Sequence, residues 1–174
     1  MLFRSELGLR SLIALCANGF GESYRRLGRL ADAEREYQRA LVLWRALGDA
    51  EQLFPLLNLG ILAAETGRLP LALARLEEAR QLADRQGRRH LQAMAGVLSL
   101  VPLAGLQDAV RYDERLAAAE TMRVEGYADR DVAFALDRAS MLAAKAGWAR
   151  RAKRTRIYAD DMWQTLGGRP ADGA

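Results

Sequence analysis

Apolar residues recur at three- and four-residue steps along most of the chain, which is the spacing that places them on one face of an α-helix. The first such run extends from about Gly8 to Leu27, and its predicted apolar stripe comprises Leu9, Leu12, Ile13, Cys16, Phe20 and Tyr24. Glycines interrupt the pattern where helices should end, as at Gly28 and Gly48. Because β-branched runs are missing from the sequence, we expect no sheet and predict an all-α fold.

The helical pattern repeats. Its best preserved form reads Gly21-x2-Tyr24-x3-Gly28-x4-Ala33-x3-Tyr37-x2-Ala40. The same spacing returns as Gly60-x2-Ala63-x3-Gly67-x4-Ala72-x3-Leu76-x2-Ala79, and its small residues return as Ser140-x2-Ala143-x3-Gly147-x4-Ala152. Four glycines that should close successive helix pairs lie 39, 39 and 41 residues apart, namely Gly48, Gly87, Gly126 and Gly167. A period this regular indicates a helical repeat protein.

The period divides the chain into about four antiparallel helix pairs, which predicts an α-solenoid in one domain, residues 1–168. The units run over about 8–48, 49–87, 88–126 and 127–167, and residues 169–174 are predicted to be a disordered tail. The third unit has lost most of the small-residue pattern. Either Asp129 or Asp131 can cap the first helix of the fourth unit.

Composition narrows the class of protein. The 174 residues are 51% hydrophobic, enough for one extended core, and the net charge of +4 comes almost entirely from arginine, which by itself is weak support for nucleic-acid binding. Cys16 cannot form an internal disulfide, and its place on the apolar stripe predicts a buried, inert thiol. No apolar run approaches the ~20 residues of a membrane span, so a soluble, cytoplasmic protein is expected.

These spacings resemble the tetratricopeptide repeat, whose pattern is W-x2-L-G-x2-Y, then A-x3-F, then P. The matching residues are Ala17-x2-Phe20-Gly21-x2-Tyr24 with Ala33-x3-Tyr37, and Leu56-x2-Leu59-Gly60 with Ala72-x3-Leu76. The resemblance implies a right-handed superhelix that binds proteins or peptides. The final proline is replaced by Arg45, Asp84 and Gln164, and the longer period is similar to arrays that follow kinase or ATPase modules in large bacterial signalling proteins.

In such a superhelix the first helix of each pair lines the concave face. The candidate residues for binding a protein or peptide there are Glu22, Arg25, Arg26, Leu57, Ile61, Glu65, Asp137, Met141 and Lys145. Two alternatives stay open. The apolar members of this set can instead be buried against neighbouring helices, and the charged members can simply be solvated.

A second candidate surface is the dense basic cluster of Arg150, Arg151, Lys153 and Arg154, which could bind phosphate groups of a nucleic acid. No aromatic residue is interleaved to stack on bases, so a solvated terminal helix is the preferred interpretation. The chain offers no convergent acid, base, nucleophile or metal ligands, and its lone His90 is expected at the surface. We therefore expect neither an enzyme nor a bound cofactor or metal.

The N-terminal helix is apolar on several sides, which is unusual for the free end of a stacked array. Its apolar residues are Leu2, Phe3, Leu7, Leu9, Leu12, Ile13 and Leu15. We expect this helix to pack on an upstream domain or on a second copy of the chain. Together these features predict a non-catalytic interaction or scaffolding module and, on the resemblance, the C-terminal part of a larger signalling protein.

Overall fold

A computed structural model describes the backbone of residues 2–48 and 50–170, and the side chains of residues 8–48 and 51–170. The regular structure in these residues is helical. In chain order the α-helices are α1 (Leu2–Arg26), α2 (Leu30–Leu47), α3 (Leu53–Glu65), α4 (Leu69–Arg85), α5 (Arg89–Leu98), α6 (Leu100–Gly105), α7 (Ala109–Val124), α8 (Arg130–Lys145) and α9 (Ala149–Thr165). No described helix is long and apolar enough to cross a bilayer.

The helices form four packed pairs, namely α1 with α2, α3 with α4, the interrupted α5–α6 with α7, and α8 with α9. Successive pairs stack on one another through contacts such as those of α2 with α3 and of α4 with α5. Most of the buried apolar residues belong to one continuous core that extends through the stack. The predicted all-α solenoid of helix pairs is therefore confirmed.

The interruption between α5 and α6 has a local cause. Pro102 has no backbone N–H and its ring crowds the carbonyl four residues earlier, at Leu98, so a continuous helix cannot pass this point without strain. The regular helix is interrupted at Ser99, whose hydroxyl donates to the carbonyl oxygen of Gly96 at 2.6 Å. The single first helix predicted for the third unit is thus two helical segments.

The turn within the third pair also differs from the others. In the first, second and fourth pairs a glycine with positive φ joins the two helices, as at Gly28 and Gly67, with φ of 72° and 75°. In the third pair Gln107 adopts the same left-handed conformation, with φ of 59°. A residue with a Cβ is strained there by about 1 kcal/mol. Helix α7 consequently begins two residues after Gln107, at Ala109.

Close approach of the paired helices explains the recurring spacing of small residues along the chain. Gly21 faces the ring of buried Tyr37, and a Cβ at Gly21 would lie 2.5 Å from two of the ring carbons. Gly60 faces Leu76 in the same way, with a Cβ only 2.6 Å from Cγ. In the fourth pair the Ser140 hydroxyl donates to the carbonyl oxygen of Ala152 at 2.9 Å. These residues therefore set the distance between helices.

The predicted apolar stripe of α1 is wrong in its orientation. Leu9, Leu12 and Phe20 are more than half exposed, and Cys16 is exposed instead of buried. The face that packs on α2 carries small residues, and its buried members are Ala14, Ala17, Asn18 and Gly21. Small side chains are needed on that face because Trp44 and Ala40 of α2 lie against it. The predicted apolar residues Leu2, Phe3 and Leu7 lie outside the described side chains.

Ion pairs connect the second helices of successive units. Arg45 of α2 pairs with Glu78 of α4. Further along, Arg115 of α7 pairs with Glu77 of α4 at 3.1 Å, and Arg151 of α9 pairs with Asp113 of α7 at 2.6 Å. Each step of the stack is thus tied by charge as well as by the core.

Glu77 should make the stability of this stack dependent on pH. The hydrogen bond from Arg80, aided by Gln81 and Arg115, lowers the pKa of Glu77 to about 2 from an ordinary value of 4.5. A lowered pKa stabilises the fold above about pH 5, and that contribution disappears as the pH falls towards 2. Because the side chain is about one-third exposed, we expect Glu77→Gln to cost only about 1–2 kcal/mol at pH 7.

Urea denaturation of both proteins at pH 7 and pH 3 measures this contribution. The difference between wild type and Glu77→Gln should shrink strongly at pH 3. Glu114→Gln is the matched control, because Glu114 lies on the next unit, is exposed and has no ion pair within the part of the chain that the structure describes. A Glu77→Gln difference that stays the same at both pH values would contradict the prediction.

Candidate functional site

The first helices of the four units line a concave groove with a volume of about 1070 Å³. Its floor includes Ile61 of α3, Leu98 of α5 and Val101 of α6, all of which are buried. Along one wall, α8 presents Phe134 and Met141, whose side chains are 52% and 54% exposed. Two large apolar side chains open to solvent above an apolar floor are the arrangement found in binding grooves.

A smaller cavity of about 380 Å³ adjoins the groove and is lined by residues that include Glu22, Leu57, Asn58, His90 and Tyr127. The rings of His90 and Tyr127 stack there with centroids 5.0 Å apart. His90 is therefore partly buried and not simply a surface residue. The two cavities share five residues, Arg25, Arg26, Ala128, Asp129 and Asp131.

Arg25 separates the two cavities by bridging three units. Its Nη1 donates to Glu65 of α3 at 2.7 Å, and its Nη2 donates to both carboxylate oxygens of Asp131 at 2.7 Å. Burial alone would lower the pKa of Arg25, but the hydrogen bonds to Asp131 and the charges of both carboxylates outweigh burial and raise it. With only 13% of its side chain exposed, Arg25 joins the C-terminal end of α1 to the start of α8 across the groove.

Asp129 fixes the start of α8 beside this bridge. Its carboxylate accepts a hydrogen bond from the backbone N–H of Val132 at 3.1 Å, which is the geometry of an N-cap. Burial raises the pKa of Asp129, while the bond from Val132 opposes that shift. Of the two predicted caps, Asp129 therefore serves as the cap and Asp131 as the partner of Arg25.

Asp137 of α8 accepts several hydrogen bonds at the end of the groove near α9. It accepts hydrogen bonds from Arg156 at 2.6 Å, from Trp163 Nε1 at 2.8 Å and from Arg169 at 2.8 Å. Trp163 is buried and packs edge to face against Phe134 with ring centroids 4.9 Å apart. The exposed Phe134 ring is thus held in place by α9. Residues 171–174 of the predicted tail lie outside the described residues.

Most of the predicted binding residues lie at these cavities, although their role in binding stays a prediction. The groove is lined by Arg25, Arg26, Ile61, Glu65, Asp137 and Met141, and the smaller cavity by Glu22 and Leu57. Leu57 and Ile61 are buried, whereas Met141 is exposed. Lys145 lines neither cavity and is exposed at the end of α8.

The sequence interpretation missed five groove residues on α8, namely Arg130, Asp131, Phe134, Ala135 and Arg138. The residues that it chose on this helix, Asp137, Met141 and Lys145, follow one another at steps of four and so trace only one edge of the face. The alternation of three and four residues that defines a helix face would have reached Phe134, seven residues before Met141.

The predicted basic patch is smaller than the sequence indicates. Arg151 is paired with Asp113 and lies 5.3 Å from the ring centre of Trp148. The remaining residues, Arg150, Lys153 and Arg154, are exposed and share one face of α9 at three- and four-residue steps.

Comparison with known proteins agrees with the architecture of the first two units. Residues 12–85 match the sequence profile of the tetratricopeptide repeat family. A search of curated proteins finds no match to the chain. Tetratricopeptide repeats generally mediate protein–protein interactions and are typically non-catalytic. Residues 12–85 are thus similar to tetratricopeptide repeats, and the helix pairs that follow them continue the same stack to α9.

Proposed function

We propose that the chain is a non-catalytic interaction module that binds a peptide or protein segment in its concave groove. The observation that carries the proposal is the exposure of Phe134 and Met141 inside a groove whose floor is otherwise buried. Exposed apolar side chains in a concave site can bury themselves on a partner, whereas those on a convex surface have less opportunity. A bound segment would cover both.

The groove is also held open in one shape. Arg25 ties α1, α3 and α8 together, and Asp137 ties α8 to α9 and to Arg169. A preformed site loses less conformational entropy on binding than a site that must assemble, so these bridges favour affinity. The ion pairs of Arg25 and Asp137 therefore support binding of a short segment to a preformed groove.

Substitution of Phe134 by glutamate should abolish capture of peptides from a displayed random-peptide library by the whole chain. The loss is expected to exceed tenfold, because the change removes an apolar anchor and places a charge at the groove wall. Val110→Glu is the matched control, since Val110 is an exposed apolar residue on α7 outside all described cavities of the groove. Equal capture by the two variants would contradict groove binding.

We further propose that the exposed face of α1 is covered in the working protein by an upstream domain or by a second copy. Phe20 of α1 is 58% exposed, yet Leu59, which stands 39 residues later at the same place in α3, is 5% exposed. Helix α3 packs on the second helix of the preceding unit. The corresponding face of α1 has no neighbour among the described helices. That face has the pattern of a stacking surface.

Cys16 lies on this exposed face of α1, so the rate at which a thiol reagent labels Cys16 shows whether the face is covered. If a second copy covers it, light scattering should show a dimer at high protein concentration, and labelling of Cys16 should slow as the dimer forms. Leu12→Glu combined with Phe20→Glu should restore the monomer and rapid labelling, whereas Val42→Glu, an exposed change on α2, should not. A monomer at all concentrations, with no coding sequence in frame before Met1, would contradict both versions.

The repeat period also resembles that of helical repeats in larger signalling proteins. On the longer repeat period, we propose a scaffolding or sensory role at the C-terminal end of a larger bacterial signalling protein, such as a kinase or ATPase regulator. Sequencing the flanking genes tests this directly, and an isolated gene without either module would contradict it.

The alternative, a nucleic-acid-binding repeat, depends on Arg150, Lys153 and Arg154. Failure to bind RNA or DNA at low salt would remove it.

A further inference from the structure

The carboxylates of the groove have bonding partners, whereas most of its guanidinium groups have no ion pair within the described residues. All four of its carboxylates have partners: Glu65 and Asp131 pair with Arg25, Asp129 caps α8, and Asp137 pairs with Arg156 and Arg169. Three of its four guanidinium groups have no ion pair within residues 8–48 and 51–170, namely those of Arg26, Arg130 and Arg138. The groove therefore offers three guanidinium groups free to pair with a ligand, whereas each of its carboxylates already accepts hydrogen bonds.

These cations alternate with the exposed apolar residues along α8. Arg130, Phe134, Arg138 and Met141 all line the groove and follow one another at steps of four, four and three residues. At 1.5 Å per residue the first three are about 6 Å apart along the helix. Side chains that point the same way on an extended peptide, two residues apart, are separated by about 6.6 Å. The two spacings match.

We propose that the groove recognises an extended acidic peptide in which an apolar residue stands between two carboxylates at alternate positions, acid-x-apolar-x-acid. The acids pair with Arg130 and Arg138, and the apolar side chain packs on Phe134. The positive end of α8 adds to the attraction near Arg130. Arg25 offsets one of the two negative charges of Glu65 and Asp131, and Arg26, Arg130 and Arg138 add three positive charges to the same groove. This proposal rests on peptide binding in the groove and names the class of peptide.

Fluorescence anisotropy with two labelled synthetic peptides tests the proposal on the whole chain. One peptide contains Glu-Ala-Leu-Ala-Glu, and the other has lysine at both acidic positions. The acidic peptide should bind at least tenfold more tightly, and its affinity should fall as salt rises. Arg130→Gln and Arg138→Gln should each weaken its binding about threefold to tenfold, and Lys145→Gln, on the same helix but outside the groove, should leave it unchanged.

Three results would overturn the inference: tighter binding of the lysine peptide, no effect of Arg130→Gln and Arg138→Gln, or tighter binding of a peptide whose acids follow helical spacing. Selection from the displayed library separates this failure from failure of the proposed function. If selected peptides lack the acidic pattern but are lost with Phe134→Glu, groove binding stands and the acidic specificity falls. If the selected peptides are insensitive to Phe134→Glu, both fall.

Discussion

Replacing Gly21 by alanine is expected to lower the free energy of unfolding by about 2–3 kcal/mol, although alanine is the better helix former. The added Cβ would lie 2.5 Å from the Cδ1 and Cε1 atoms of Tyr37, inside the contact distance of any two carbon atoms. The Tyr37 ring is fully buried and rigid, so it cannot turn away. The helix pair must therefore separate, and the loss of packing outweighs a gain in helix propensity of about 1 kcal/mol.

Gly19→Ala is the matched control because it makes the same chemical change two residues earlier in α1. Apart from its two chain neighbours and the backbone of α1, no described atom lies within 4 Å of the position where its Cβ would be, so only the helix propensity changes. We expect Gly19→Ala to stabilise the protein by about 0.5–1 kcal/mol. Urea denaturation of the two variants should give shifts of opposite sign. Shifts of the same sign would show that α1 and α2 do not approach as closely as described.

Removing Arg25 is the second change with a large expected effect. Arg25→Leu leaves Glu65 and Asp131 facing one another without a counter-charge, and each of these side chains is only about one-third exposed. Breaking a buried pair costs about 3–5 kcal/mol and breaking an exposed pair about 0–1 kcal/mol, so we expect a loss of about 2–3 kcal/mol here. For a chain of this size the melting temperature should fall by about 4–12 °C.

A double-mutant cycle shows whether that loss arises across the groove. Arg25→Leu and Asp131→Asn should be coupled by about 1–2 kcal/mol, because Asp131→Asn removes the charge that Arg25→Leu exposes. Arg35→Leu is the control, since the Arg35 side chain is 64% exposed and pairs with neighbouring Asp32, and it should cost less than about 0.5 kcal/mol. Strict additivity of the Arg25 and Asp131 changes would mean that α1 and α8 are not bridged.

The repeat period and the turn glycines made the helix pairs predictable from sequence, because both express local backbone requirements. Gln107 was missed for lack of a glycine signal, although it lies 40 residues from both Gly67 and Gly147, which the period could have revealed. The orientation of α1 was assigned wrongly because its largest apolar residues are on the exposed side. Ala14, Ala17 and Gly21, spaced three and four residues apart, mark the packed face.

The groove was predictable only in part. Choosing the first helices gave residues such as Met141 and Glu65, since the concave face of a solenoid follows from its topology. The bridge from Arg25 to Asp131 joins residues 106 positions apart, and it depends on the curvature accumulated over four units. No local pattern encodes that curvature. For the same reason, the sequence did not show that Arg130, Phe134 and Arg138 lie along one wall of the groove.

Photo-cross-linking tests binding in the groove most directly. The photoreactive residue p-benzoylphenylalanine is placed at position 134, where it preserves an aromatic ring, and separately at position 110 on α7 as the control. Peptides selected from a displayed library on the unmodified chain are then added and irradiated. Binding in the groove predicts covalent attachment at position 134 that excess unlabelled peptide prevents, and little attachment at position 110. Attachment at position 110 with none at position 134 would contradict the account.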